Sequence, residues 1–311
     1  MNELDNAVSL TVGGLDYGGW KSVEISADLE RQFRTFKLDI TWQWPGQTQS
    51  VPIRPGDECQ VRIGADLVLS GYVFKAPVSY DERQISLSIE GGSRTQDLVD
   101  CAAINRPSQW RGQTVLSIVQ ALASQYGVGV ISEIPETARL SEHSIVPGET
   151  VFQSIDRLLT LFRVFSTDDA EGRVLLAKPG SGGRASDVLE LGKNILSGNA
   201  PMDYSQVFSE YRVIGQHKGN DQQSGAAVSE VCGTATDLGF KRKRVTVISE
   251  SAQLTFELAQ QRADWESAIR TGKALTTTYR VQGWRQANGD LWRHNTLVRV
   301  IDPVLGFDGD M

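Results

Sequence analysis

The sequence predicts a mainly β protein with α+β insertions: two small antiparallel β-barrel-like domains separated by two small αβ units. Three observations carry this expectation. Apolar residues tend to alternate from Ala7 to about Gly92, they switch to helical spacing between about Asp97 and Lys178, and strand-like pieces return beyond Pro179. A length of 311 residues is more than one hydrophobic core usually serves, so two or more domains are expected.

In the first segment Val23, Ile25 and Ala27, then Phe33, Phe36, Leu38 and Ile40, follow strand periodicity, with turn signals at Gly13-Gly14, Gly18-Gly19, Pro45-Gly46 and Pro55-Gly56. Val61, Ile63, Leu67, Val68, Leu69, Tyr72 and Val73, then Ile85, Leu87 and Ile89, continue at spacings that suit antiparallel hairpins. A small barrel or sandwich over residues 1–96 fits this pattern. In the next segment Val115, Ile118, Val119, Leu122 and Tyr126 share one helical face, and Gly127 supplies a left-handed stop. A second helix repeats the device: Thr150 and Gln153 have capping-box spacing, and Val151, Ile155, Leu158 and Phe162 form its stripe. Gly112-Gln113-Thr114-Val115 aligns with Gly148-Glu149-Thr150-Val151, and Leu122 and Val128 align with Leu158 and Val164. An internal αβ repeat is expected, as one unit at 97–145 and another at 146–180.

Pro179-Gly180-Ser181-Gly182-Gly183 reads as a linker. The second β-rich domain, 181–311, is expected to have strands near Val188–Leu191, Val207–Ile214, Val245–Ile248, Leu275–Trp284 and Leu297–Ile301. It carries one helix around Phe256–Lys273. Lys218–Thr236 is polar and short of large apolar residues, which suggests a long exposed excursion.

Composition narrows the function. A formal net charge of -7 argues against non-specific nucleic-acid binding, which depends on neutralising phosphates. Cys59, Cys101 and Cys232 are odd in number and widely spaced, so reduced thiols are expected rather than disulfides or a zinc site. The acidic start Met1-Asn2-Glu3-Leu4-Asp5 does not resemble a secretory signal, and no apolar run approaches the ~20 residues of a membrane span. The chain is expected to be made in the cytoplasm and to leave it only within a larger particle. His143, His217 and His294 lack ligand spacing, and no phosphate-binding loop or nucleophile elbow occurs.

Asp168, Asp169 and Glu171 form one carboxylate cluster of the kind a glycosidase needs, but the segment reads as a hairpin turn, where Asp and Gly supply turn geometry. Asp308 and Asp310 suggest the opening of a calcium loop that the following residues do not continue. Lys241-Arg242-Lys243-Arg244 is the compact basic run, and it leads into Val245-Thr246-Val247-Ile248 as a solvated strand edge would. Trp42 and Trp44 share a face of an extended segment, suiting a protein contact, a sugar platform or core filling alike; Trp284 and Trp292 carry the same ambiguity. Trp42, Trp44, Lys241 and Arg242 are the candidate contact residues. No catalytic, cofactor or metal residues are assigned, and the protein is expected not to be an enzyme.

A more specific signal lies at Ile89-Glu90-Gly91-Gly92-Ser93-Arg94-Thr95-Gln96-Asp97-Leu98-Val99-Asp100-Cys101-Ala102-Ala103. This run resembles a segment of Mu-like phage baseplate hub proteins, members of the late-control D tail-protein superfamily. Further similarities follow in order at Gln109-Trp110, Tyr126-Gly127-Val128, Phe208-Ser209-Glu210-Tyr211-Arg212-Val213, Gly233-Thr234-Ala235-Thr236-Asp237, Gly283-Trp284, Gly289-Asp290-Leu291-Trp292 and Asn295. The resemblance implies a homotrimeric ring in which two barrel-like domains per subunit give pseudo-sixfold symmetry. One face of such a ring receives the tail tube of a contractile tail, and the other seats the trimeric central spike. DNA would pass through the axial channel without specific binding. The implied location is the virion tail baseplate, assembled in the bacterial host cytoplasm.

Family chains continue past the equivalent of Asp302-Pro303, so the second barrel is expected to be incomplete at its C-terminal end. Alternatives are a type VI-like or phage-derived spike hub, a tail-associated peptidoglycan hydrolase working through Asp168 and Glu171, or a glycan-binding module using Trp42 and Trp44.

Overall fold

The computed structural model describes residues 3–41, 53–80, 82, 85–135, 139–216, 231–237 and 239–311. Trp42, Trp44, Pro45-Gly46 and His217 lie outside them. The fold is mainly β, with several small sheets and few helices. The chain divides into two compact units. One comprises Met1–Ala138, Ser144–Asp156 and Phe165–Lys178; the other comprises Arg139–His143, Arg157–Val164 and Pro179–Met311.

The first unit opens with an antiparallel sheet built from β1 (Val8–Val12), β2 (Leu15–Tyr17), β3 (Ser22–Ser26), β4 (Thr35–Thr41), β5 (Glu58–Ile63), β6 (Asp66–Lys75), β7 (Val78–Tyr80) and β8 (Ile85–Ser93). Their order is β2-β1-β5-β6-β8-β4-β3, with β7 also on β8. Gly13 and Gly14, at φ 58° and 80°, join β1 to β2 in the two-residue hairpin turn that demands positive φ at both positions. The alternation seen in the sequence becomes one buried face: Leu10, Phe36, Leu38, Val61, Leu69, Val73 and Ile89 pack together. Gly91 continues that inward parity without a side chain, because a Cβ there would lie 2.3 Å from the Tyr72 carbonyl oxygen and 2.6 Å from the Phe36 ring. Among the described residues no pairing joins the outer strands β2 and β3.

The αβ layer, most of which belongs to this unit, follows through α1 (Gln96–Asp100), β9 (Gln109–Trp110), α2 (Val115–Ser124), β10 (Val130–Ser132), β11 (His143–Ser144), α3 (Val151–Leu159), β12 (Phe165–Asp168) and β13 (Val174–Ala177). The repeat read from sequence is a repeated strand–helix–strand, β9-α2-β10 and β11-α3-β12. Thr114 caps α2 by accepting from the Ser117 amide at 3.3 Å. Thr150 caps α3 by accepting from the Gln153 amide at 3.2 Å, and Gln153 Oε1 accepts in turn from the Thr150 amide at 2.9 Å. Gly112 and Gly148 both have positive φ, and Val115, Val151, Leu122, Leu158, Val128 and Val164 are all buried. β10 and β12 flank β13, the first parallel to it and the second antiparallel. Tyr126 falls beyond the end of α2, where its hydroxyl donates to the Ala102 carbonyl at 2.6 Å; Ala123 takes the buried place on the helix.

The second unit holds β14 (Leu189–Glu190), β15 (Ile195–Asn199), β16 (Glu210–Gln216), β17 (Val231–Thr236), β18 (Val245–Gln253), α4 (Phe256–Ala274), β19 (Thr278–Val281), β20 (Arg299–Asp302) and β21 (Phe307–Asp310). These form three small sheets, β17-β16-β18, β14-β20-β21 and β15-β19. Helix α4, capped by Thr255, lays the small residues Ala259 and Ala263 over Tyr211, Val213 and Ala235. At Gly233 the approach is so close that a Cβ would sit 2.2 Å from the Ala259 carbonyl carbon.

One expectation changes here, and the glycine-rich run that opens the last segment of the second unit acquires partners. The polar stretch expected to run as an excursion to Thr236 contains β17, because a strand beneath a close-packed helix needs small residues rather than large apolar ones. The glycine-rich run after Lys178 is tied down: the Gly180 amide donates to the Asn295 side chain at 2.7 Å and the Gly182 amide to the Asn295 carbonyl at 3.0 Å.

Candidate functional site

The carboxylate cluster separates into two environments. Asp169 and Glu171 sit in the β12–β13 turn and hold Arg173, with Nε to Asp169 at 2.6 Å and Nη2 to Glu171 at 3.2 Å. Asp168 ends β12 and is buried, not solvated as a turn residue would be. Its Oδ1 accepts from Arg34 Nε at 3.1 Å, its Oδ2 from the Arg34 amide at 3.0 Å, and its carbonyl from Arg34 Nη2 at 3.0 Å. Arg34 Nη1 reaches the Val68 carbonyl at 2.9 Å. Burial pushes the Asp168 carboxyl above its ordinary value of 3.8, with Arg34 and Ser93 pulling the other way. A buried carboxyl whose two oxygens are both bonded by Arg34 orients backbone.

Beside it, the Gln32 side chain donates to the Thr167 carbonyl at 3.1 Å and accepts from the Ser166 hydroxyl at 2.5 Å. Local patterning leaves no trace of this joint, since Gln32 and Arg34 lie more than a hundred residues from Ser166, Thr167 and Asp168.

The basic run also divides by role. Lys241, Arg242 and Lys243 are exposed ahead of β18, the outer strand of its sheet. Arg244 turns back: Nη1 bonds the Val207 carbonyl at 3.1 Å, Nη2 the Ser205 carbonyl at 2.8 Å, and its guanidinium lies 4.6 Å from the Phe208 ring centroid. It is an organiser of the 204–208 loop. On the side of the β17-β16-β18 sheet away from α4, Arg212, Cys232, Thr234, Val245 and Val247 are exposed. Asp308 and Asp310 of β21 are ion-paired to Arg299 of β20 and to Arg184, which explains their alternation without calcium. Trp284 and Trp292 are half-buried, and Trp292 packs against the Leu189, Ile195 and Val300 core.

No group of three or more metal-ligating side chains occurs among the described residues. His143 is buried and His294 half-buried, and the structure brings neither into such a group. A depression of about 470 Å³ is lined by Tyr17, Ile53, Glu58, Cys59 and Arg94. Burial, with Asp57 and Glu58 nearby, pushes its Cys59 thiol up to about 12, far from the range of a nucleophile at neutral pH. No helix among the described residues is long and apolar enough to cross a membrane.

The polar clusters described above fix backbone, and comparison with known proteins gives the class as phage tail baseplate proteins. Residues 7–93 match the N-terminal domain of the Mu phage baseplate assembly protein GpP-like family. Residues 95–178 match the second domain of the baseplate hub protein gp44-like family, and 255–311 the fourth domain of Mu baseplate assembly protein GpP. The baseplate hub protein gp44 of Escherichia phage Mu is 29% identical over 304 residues, covering 96% of this chain and 79% of that protein. The 43 kDa tail protein of prophage MuSo2 from Shewanella oneidensis is 31% identical with a TM-score of 0.87, over 98% of this chain and 92% of that one. A tail protein from Neisseria meningitidis MC58 shares the fold at 22% identity and a TM-score of 0.84, over 98% and 89% of the two chains. The chain belongs to the Mu-like phage baseplate hub proteins.

Proposed function

We infer that the chain acts as a homotrimeric ring of pseudo-sixfold symmetry that joins the tail tube of a contractile tail to a trimeric central spike, around an axial channel for DNA. The observation that carries this reading is the collinear similarity to the Mu baseplate hub protein across 96% of the chain. In this reading residues 1–96 and 181–311 are the two hub domains, 97–145 and 146–180 are the αβ units between them, and the role is structural without catalysis. A trimer that presents two related domains per subunit offers six similar surfaces to a hexameric neighbour. The acidic balance, -7 overall, suits a channel that must let DNA slide. Lys241 and Arg242, exposed beside an open strand edge, are contact residues toward another baseplate component in this scheme, as are Trp42 and Trp44. The protein is synthesised in the host cytoplasm and carried in the virion tail.

Light scattering across a concentration series tests the ring. The expected mass is three times 34.1 kDa. A monomer at every concentration, unchanged by added spike or tube protein, is the result that removes this reading.

A further inference from the structure

The first unit contains an antiparallel sheet and an αβ layer, and among the described residues the buried cluster of the sheet does not extend into the layer. The buried apolar cluster of the sheet runs from Leu10 to Ile89 and includes no residue of the layer. Among the described residues no strand of β1–β8 pairs with a strand of the layer. Two bodies without a common core or sheet are free to move about their covalent connection unless something else holds them.

The connection is Ser93 to Gln96, between β8 and α1, and the polar groups that hold the layer converge on it. The Ser93 amide donates to the Arg34 carbonyl at 2.9 Å, and the Arg34 amide donates to Ser93 Oγ at 3.1 Å as well as to Asp168. Ser93 and Thr95 share a hydroxyl contact of 2.9 Å. Arg34 therefore grips the covalent junction with its backbone and the end of β12 with its side chain. Gln32 holds Ser166 and Thr167 on the same strand, and the Thr167 hydroxyl donates to the Asp28 carbonyl at 3.1 Å. The turn that follows is seated too, since a Cβ on Gly172 would lie 2.6 Å from the Ser70 carbonyl oxygen of β6. Ser70 and Asp168 are both buried, and the Arg34 side chain is 14% exposed, so water does not compete for these bonds.

We propose that Arg34 is a latch: its fork onto Asp168 holds the αβ layer rigidly against the β1–β8 sheet, and without it the layer becomes a tethered body that swings on the Ser93–Gln96 junction. The geometry of the fork matters as well as the charge, because Arg34 uses Nε, Nη1 and Nη2 on three different acceptors. Lysine keeps the charge and cannot make that set of bonds. The proposal stands independently of the ring, since it concerns one chain.

The test is a spin-label distance in the full-length chain, with nitroxides on cysteines introduced at the exposed Lys37 of β4 and Ser124 of α2, in a Cys101→Ser, Cys232→Ser background. The expected result is one narrow distance distribution with Arg34 present, and a broadened, displaced one in Arg34→Lys and in Asp168→Ala, with circular dichroism unchanged. A distribution that stays equally narrow in both variants overturns the latch. So does loss of ordered structure in both, which would make the joint an ordinary part of one core. If Asp168→Ala alone fails to fold, Arg34→Lys decides between these outcomes.

Discussion

Two carboxylates, the buried Asp168 and the half-buried Glu266, meet arginines and respond to pH in opposite directions. Around Asp168, burial outweighs the help of Arg34 and Ser93, so the folded chain holds that proton more tightly than an unfolded one. Its contribution to stability is complete below the ordinary carboxylate value and is lost as pH rises through the raised one. At Glu266 burial opposes ionisation, yet hydrogen bonds from Arg270 and Arg262, both at 2.6 Å, outweigh it and hold the carboxyl below 4.5. That contribution is present above 4.5 and is lost as pH falls through the lowered value. Urea midpoints measured across the acidic range are therefore expected to diverge. Glu266→Gln should cost about 1.5–3 kcal/mol at neutral pH and converge on the parent in acid. Paired replacement by Arg34→Met and Asp168→Leu should remove the loss of stability that accompanies ionisation of Asp168. A Glu266→Gln deficit that does not shrink in acid would mean the side chain matters for packing alone.

At the level of elements, helices with caps are the most legible in the sequence. Thr114, Thr150 and Thr255 sit at their predicted starts or one residue ahead of them, because capping and apolar spacing are local and leave a local trace. The β1–β8 alternation was legible for the same reason: each strand keeps one face dry. What stayed hidden depended on distant partners. β17 reads as a loop because its inward residues are Gly233 and Ala235, chosen by the backbone of α4 above them. β21 reads as a calcium loop because Asp308 and Asp310 answer Arg299 and Arg184, and the Asp168 joint depends on residues in another layer altogether. The β17 explanation has its own expected outcome. Gly233→Ala must push against the Ala259 backbone and is expected to cost about 1–3 kcal/mol, read as a lowered thermal midpoint. An unchanged midpoint would show that α4 can lift without penalty.

For the molecule as a whole, the second unit carries a sheet face that the described residues leave uncovered. One side of β17-β16-β18 is closed by α4, while the other exposes Val245, Val247 and Cys232. Cys59 is buried with its thiol pushed up to about 12, and burial raises the Cys101 thiol as well. Reaction with a chromogenic disulfide at neutral pH is accordingly expected to show one fast thiol and two slow ones, with Cys232→Ser abolishing the fast phase. Persistence of the fast phase in that variant would place the reactive sulfur elsewhere. The exposed cysteine also turns the face into its own reporter. Its rate of modification registers, without any added label, whether another molecule covers the strand beside it, so the cover of this face is read from the shielding of a single sulfur atom.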